Sequence, residues 1–258
     1  MTTVDWDKYV GTKSQAEYER LTMLERGSDS FTIRNLDRLG VSPGWRCLDV
    51  GAGAGSVARW LALRAGAANV VATDLSVDFL KPVADLGVRV LRHDVTKDAA
   101  PGRFDLVHCR FVLDHLPRRD DVLKRMVSWL KPGGWLLVQS GTTIPEAANS
   151  PVMRKAMALR SAMNQTAGTE VSWARTLPVP LERAGLVATA AEGFAPPLRG
   201  GSLAAGLIRG TLELIARPAI DAGSITAAEL AEAYALCDDP SYVDYCDIYV
   251  GAWGRAPI

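Results

Sequence analysis

Between Trp45 and Gln139, short apolar runs alternate with longer stretches whose apolar residues recur every three or four positions. The runs fall at 45–50, 69–74, 88–92 and 104–109, and a fifth follows a Pro-Gly-Gly turn at 132–134. Such runs suit buried strands, and the stretches between them suit helices lying over a sheet. The first of these helices, 56–66, is expected to turn Val57, Trp60, Leu61 and Leu63 toward the sheet. The second, 76–87, contains Pro82, which removes one hydrogen bond and should kink the helix or delay its start. The third, about 119–130, carries Val122, Leu123, Met126, Val127 and Leu130. Strand and helix alternating in this way predict an α/β fold with a parallel sheet and helices on both faces.

Two segments flank that core. Residues 1–44 read as a helical N-terminal cap. One helix bears Tyr18, Leu21 and Leu24 and stops at Gly27, and a second runs on to Gly40. Beyond 139 the pattern gives a helix around 173–184 and strands at 185–194 and 244–257. Two stretches exceed the core, 141–172 and 196–240, and the second contains a capping box from Thr226 to Glu229.

The first strand ends in the motif Asp49-Val-Gly51-Ala52-Gly53-Ala-Gly55, and a helix opens at Ser56. Glycine accepts positive φ, and without a Cβ it lets a ligand approach backbone N–H groups. The next strand also ends in an acid, Asp74, placed to accept hydrogen bonds from the two hydroxyls of a ribose. A nicotinamide site asks for a third glycine where Ser56 stands. The G-x-G-x-G loop, Asp74 and the later Lys-Pro-Gly-Gly turn at 131–134 resemble the class I S-adenosylmethionine-dependent methyltransferases over roughly residues 45–140.

The resemblance implies a Rossmann-like, mostly parallel sheet of seven strands with the last antiparallel, over a methyltransferase domain of residues 45–258. It implies S-adenosyl-L-methionine as cofactor, held by Asp49, Gly51, Ala52, Gly53 and Gly55, by Asp74 and Leu75, and by Asp94 and Val95 at the adenine. Cys109 and Arg110 would stand where donor and acceptor meet, at the carboxyl end of the fourth strand. Arg20 and Tyr9 of the cap would reach the methionine end. Methyl transfer from a sulfonium is an in-line displacement, so proximity and exclusion of water are the main requirements. Asp114, His115 and Tyr9 are the candidates should the acceptor have to lose a proton, whereas His108 inside its strand reads as structural.

In this fold both surplus segments overhang the reaction centre. Their apolar stripe (Met153, Met157, Met163, Leu203, Leu207 and Ile208) reads either as packing or as the wall of an acceptor pocket. Scattered basic residues such as Arg154, Arg199 and Arg209 are the anchors on offer there, so a neutral, apolar or aromatic metabolite of specialised metabolism is the expected acceptor. The alternative is an S-adenosylmethionine-binding enzyme that catalyses a cyclisation or rearrangement instead.

Composition narrows this further. Lys plus Arg and Asp plus Glu both number 29, which leaves no basic field for nucleic acid or an anionic membrane. No N-P-P-Y-type tetrapeptide follows the fourth strand. The four cysteines lack C-x-x-C spacing and the three histidines form no ligand pattern, so no metal is expected. The polar start of the chain lacks the apolar core of a signal peptide, and the expected location is the cytoplasm.

Overall fold

The computed structural model describes residues 14–258. Tyr9 therefore lies outside the described residues. The described residues open with one long helix, α1 (Gln15–Leu39), in place of the two expected across 15–40. Gly27 keeps helical φ, and the residue that ends the helix is Gly40 at φ 79°, whose N–H bonds to the carbonyls of Asp37 and Leu36. A glycine inside a helix costs roughly 0.5–1 kcal/mol. That cost is offset by the burial of Phe31, Leu36 and Leu39 on the same helix.

The core elements follow in the expected order: β1 (Cys47–Val50), α2 (Ser56–Ala65), β2 (Val70–Asp74), α3 (Lys81–Ala84), β3 (Arg89–Arg92), β4 (Phe104–Arg110), α4 (Arg119–Ser128) and β5 (Leu130–Thr143). Then come α5 (Pro151–Thr166), α6 (Val179–Arg183), β6 (Val187–Phe194), β7 (Leu198–Arg199), α7 (Leu203–Asp221), α8 (Ala227–Asp238), β8 (Val243–Asp244) and β9 (Asp247–Arg255). Seven strands form one sheet in the order β3-β2-β1-β4-β5-β9-β6. The pairings from β3 to β5 are parallel, and β9 runs antiparallel to both β5 and β6. Strand order reverses between β1 and β4, so their carboxyl ends open a crevice there, the usual ligand position in such sheets.

Alternation along the strands divides the core. Leu48, Val50, Val107, Leu136 and Val138 face α4 and α6. Cys47, Val70, Ala72, Leu106 and Leu137 face α1, α2 and α3. In α2 the buried face is Val57, Ala58, Leu61, Ala62 and Ala65. Leu63, expected inside, is 82% exposed, because a residue two positions beyond Leu61 points to the far side of a helix. Pro82 does delay its helix: a 3-10 turn over Asp78–Leu80 comes first, and α3 begins with proline in its first turn. The Pro-Gly-Gly turn lies inside β5 as a register shift between the Phe104–Leu130 and Leu106–Trp135 pairs. A Cβ on Gly134 would come within 2.9 Å of the Phe104 carbonyl oxygen.

The two surplus segments supply α5, α7 and α8, which pack together around a shared core of Met153, Met157, Leu198, Ile208, Leu212 and Leu230. Met153 and Met157 are fully buried, so this part of the stripe is packing, while Leu203 is half exposed. The capping box is present: Thr226 accepts from the Glu229 N–H, and Glu229 accepts from the Thr226 N–H. An unforeseen two-stranded ladder, β7 with β8, closes the base of the α7–α8 excursion. Among the described residues no helix is long and apolar enough to cross a membrane.

The buried position of Met157 sets an expectation. Met157→Ala should destabilise the protein by about 2–5 kcal/mol, the range for emptying a methionine site in a core. Urea denaturation reads this directly, and an unchanged midpoint would mean that the side chain borders an open pocket.

Candidate active site

The glycine loop between β1 and α2 turns most of its N–H groups inward, against the expectation that they face a ligand. Gly51 and Ala52 both donate to the Thr73 carbonyl, at 2.8 and 3.0 Å, and Gly55 donates to the Ala52 carbonyl. Gly53 donates to Asp74 Oδ2 at 2.9 Å. Packing explains two of the glycines. A Cβ on Gly51 would lie 2.3 Å from a Val112 methyl, and one on Gly55 would lie 2.4 Å from a Val83 methyl. Gly53, at φ 59°, has only Leu21 and Glu25 of α1 within reach, at 3.7 and 3.8 Å. Gly53 is therefore the residue at which the loop faces the cleft, with α1 as the roof.

That roof is acidic. Glu25 Oε1 accepts the Ser56 N–H at 3.2 Å, so a carboxylate sits at the N-terminus of α2. Asp29 accepts from the Ser56 hydroxyl at 2.8 Å and from Arg110 Nη1 at 2.9 Å. Arg110 also donates to the Thr32 hydroxyl at 2.8 Å, and its side chain is nine-tenths buried. Below the roof, Asp74 accepts from the N–H groups of Gly53 and Ser76. Burial raises the Asp74 pKa above the ordinary carboxylate range against the pull of these bonds. Burial likewise raises Glu25, against the lowering effects of the Ser56 N–H and Arg110. Asp49 is fully buried, with Oδ1 2.7 Å from His108 Nδ1 and Oδ2 without a partner. Four carboxylates (Glu25, Asp29, Asp49 and Asp74) thus surround the loop with the Arg110 guanidinium among them, a setting that favours a cationic guest.

The remaining expected residues are placed as follows. Asp94 caps its own turn: bonds from the Thr96 hydroxyl above all, then from the Thr96 N–H, and the pairing with Lys97 hold its carboxyl down at about 2. Val95 is buried, and its carbonyl accepts from Arg125. Leu75 is 54% exposed beside Asp74. The Cys109 side chain belongs to the core on the α4 side, where burial pushes its thiol pKa well up, so only its backbone borders the cleft. Arg20 is engaged by Glu17 one turn back on α1, at 2.7 Å through two nitrogens, and does not reach the loop. His115 Nδ1 lies 3.0 Å from the Thr169 hydroxyl, and the buried Asp114 keeps one oxygen, Oδ1, without a partner.

An aromatic row that the sequence reading did not single out runs beneath α1 along the carboxyl edge of the sheet. Phe111, at φ 56°, packs edge-on to Tyr249 with ring centres 5.4 Å apart. Tyr249 lies against Phe194, which stacks on Phe31. Gly141 leaves space there, since a Cβ would meet the rings of Tyr249 and Phe111 at 3.4 and 3.5 Å. At the end of the row a mostly buried Arg160 pairs with Asp247 and the Thr143 hydroxyl. A surface groove between α4 and α6, lined by Arg118, Trp173 and Arg183, contains no residue of the glycine loop or of α1.

Residues 48–138 match a family model described as a methyltransferase domain. The chain is 34% identical over 132 residues to the methyltransferase str3 of the fungus Strobilurus tenacellus, covering 50% of this chain and 47% of that protein. It is 38% identical over 110 residues to the ubiquinone biosynthesis O-methyltransferase of Chromobacterium violaceum, covering 39% of this chain and 46% of that enzyme. The chain thus spans about half the length of these curated relatives. Its fold matches a phosphoethanolamine N-methyltransferase of Haemonchus contortus, solved with phosphomonomethylethanolamine and S-adenosylhomocysteine, at a TM-score of 0.64 and 16% identity. That match covers 100% of this chain and 62% of the other.

The raised carboxyls give a pH test. Glu25 and Asp74 ionise more easily in the unfolded chain, so their contribution to stability is fully present at acid pH and is lost as pH rises through their raised values. The variant Glu25→Gln/Asp74→Asn should therefore gain stability relative to the parent as pH rises from about 4 toward neutrality. Urea denaturation of the ligand-free proteins across that range checks the sign; a variant that loses stability relative to the parent as pH rises would contradict it.

Proposed function

We propose that this chain, which carries a class I S-adenosylmethionine-dependent methyltransferase domain, transfers the sulfonium methyl to an apolar or aromatic small molecule. The observation that carries this reading is the acidic, roofed cleft over the G-x-G-x-G loop. The ammonium and sulfonium of S-adenosylmethionine are cations, and the orphaned, buried Oδ2 of Asp49 asks for a donor of that kind. Asp74 would hold the ribose hydroxyls, with Asp94 and the Val95 backbone at the adenine. The sulfonium brings its own activation; the protein's share is to align the reacting atoms and keep water out.

Arg110, fixed by Asp29, Thr32 and Ser56, keeps α1 seated over the loop, and α1 in turn excludes water. The Phe111–Tyr249–Phe194 row beside the end of β4 suits a flat, apolar acceptor. No dedicated base is needed in this scheme: His115 is tied to Thr169 and half exposed, and Tyr249 is kept protonated by burial, its pKa raised. One named relative is an O-methyltransferase of ubiquinone biosynthesis and the other is named only as a methyltransferase, which agrees with methyl transfer and leaves the acceptor to be found by assay.

S-adenosylmethionine should raise the melting temperature, as a ligand of the native state does. Asp74→Ala should weaken its binding by about 1.5–3 kcal/mol, the scale for hydrogen bonds to a charged group. Calorimetry showing unaltered affinity would remove Asp74 from the site. A labelled-methyl assay against phenols, quinones, indoles and polyketides should yield a methylated product together with S-adenosylhomocysteine. Tight cofactor binding with an acceptor converted but not methylated would instead establish the rearrangement alternative.

A further inference from the structure

A line of buried polar side chains crosses the sheet on its α1 face and ends at Asp49. Asp49 pairs in register with His108, Gln139 with Gly251, and Gly251 with Glu192. His108 Nδ1 lies 2.7 Å from Asp49 Oδ1, and its Nε2 lies 3.3 Å from Gln139 Oε1. Gln139 Nε2 donates to Asn35 Oδ1 at 3.3 Å, and Asn35 Nδ2 donates to Glu192 Oε2 at 3.3 Å. Gly251 makes the passage possible: a Cβ there would stand 2.1 Å from Asn35 Oδ1.

The bond directions in this line are dictated from its outer end. Glu192 is held between Arg34 and Arg38, at 2.7 and 2.9 Å, and an ionised carboxylate only accepts. Asn35 must therefore turn its amide nitrogen to Glu192 and its oxygen to Gln139. Gln139 then donates to Asn35 and turns its own oxygen to His108, so Nε2 of His108 carries a proton. Its Nδ1 faces Asp49 Oδ1, and a second proton lies between those two atoms, whichever of them bears it. Oδ1 of Asp49 is thereby committed, and Oδ2 is left buried and without a partner. The charge of Asp49 is felt by Glu25 and by Asp74, which flank the glycine loop.

We infer that His108 is a positioning residue for the cofactor. It fixes the rotation of the Asp49 carboxylate so that Oδ2 receives the ammonium of the methionine end, and the line through Gln139 and Asn35 fixes His108 in turn. This rests on the cofactor reading above and assigns a task to a histidine that the sequence suggested was structural only. It also separates the two ends of the cofactor. The adenosine end depends on Asp74 and Asp94, and only the amino-acid end depends on His108.

The test compares two nucleosides on the intact protein, S-adenosylmethionine and 5′-methylthioadenosine, which has no amino-acid portion. His108→Asn should weaken S-adenosylmethionine binding by tenfold or more in calorimetry and leave 5′-methylthioadenosine within twofold. Asp49→Asn should show the same pattern, and the double variant should bind no worse than Asp49→Asn alone. Equal losses for both nucleosides, or losses that add in the double variant, would overturn the proposal. The ¹⁵N spectrum of the wild-type histidines decides the bond directions without any variant: Nε2 of His108 should be protonated, and a bare Nε2 would overturn the line. Failure of the wild type to bind either nucleoside would overturn the cofactor reading and the ammonium assignment with it, while the ¹⁵N result still judges the line itself.

Discussion

A parallel sheet has to be covered on both faces, because its strands carry apolar residues on each. Over the carboxyl half of one face, above the crevice between β1 and β4, the cover is α1. This single obligation shapes the rest of the site. The lower part of α1 buries Phe31, Leu36 and Leu39, as any covering helix would. The upper part lies over a crevice, and there its residues are Leu21, Glu25 and Asp29. The helix that seals the core therefore also supplies the acids of the cleft. Arg110 at the end of β4 is the clamp between the two roles, since it bonds to Asp29 and Thr32 on the helix and to Ser56 on the loop.

Much of the fold was legible in the sequence because it rests on local signals. Five apolar runs bounded by glycine and proline gave the parallel strands, and the capping box gave the start of α8. What escaped was decided by tertiary contact. Gly27 reads as a stop, yet the packing of Phe31 and Leu36 carries the helix through it. The Pro-Gly-Gly turn reads as a boundary, yet pairing of Leu130 with Phe104 draws it into β5 as a bulge.

The candidate site divides in the same way. Asp49, the glycines and Asp74 announce themselves by spacing, and the fold brings them together. The function of each glycine was not legible, because spacing cannot distinguish a glycine required by Val112 or Val83 from one that faces a cleft. Glu25 and Asp29 carry no sequence signal of their own, and only the crossing of α1 over the loop makes them partly buried acids of the cleft. Arg20, on the same helix and of the type expected, turns instead to Glu17. His108 and Gln139 sit in apolar strands where a polar residue without a partner would be costly. That cost was the signal available in the sequence, and its meaning depended on the register that sets His108 beside Asp49.

The short β7–β8 ladder has a consequence for how the α7–α8 excursion is built. Leu198 and Arg199 pair with Asp244 and Val243, and the Gly200 N–H bonds to the Tyr242 carbonyl. A Cβ on Gly200 would lie 2.0 Å from the Asp239 carbonyl oxygen, so the two strands of chain touch without intervening side chains. The α7–α8 excursion thus leaves the sheet and returns to it through a closed neck. Its length and its side chains can change without altering the distance that β6 and β9 must span. A chain built this way can vary the α7–α8 excursion as a cassette, while the glycine loop, held under the crossing of α1, stays as it is.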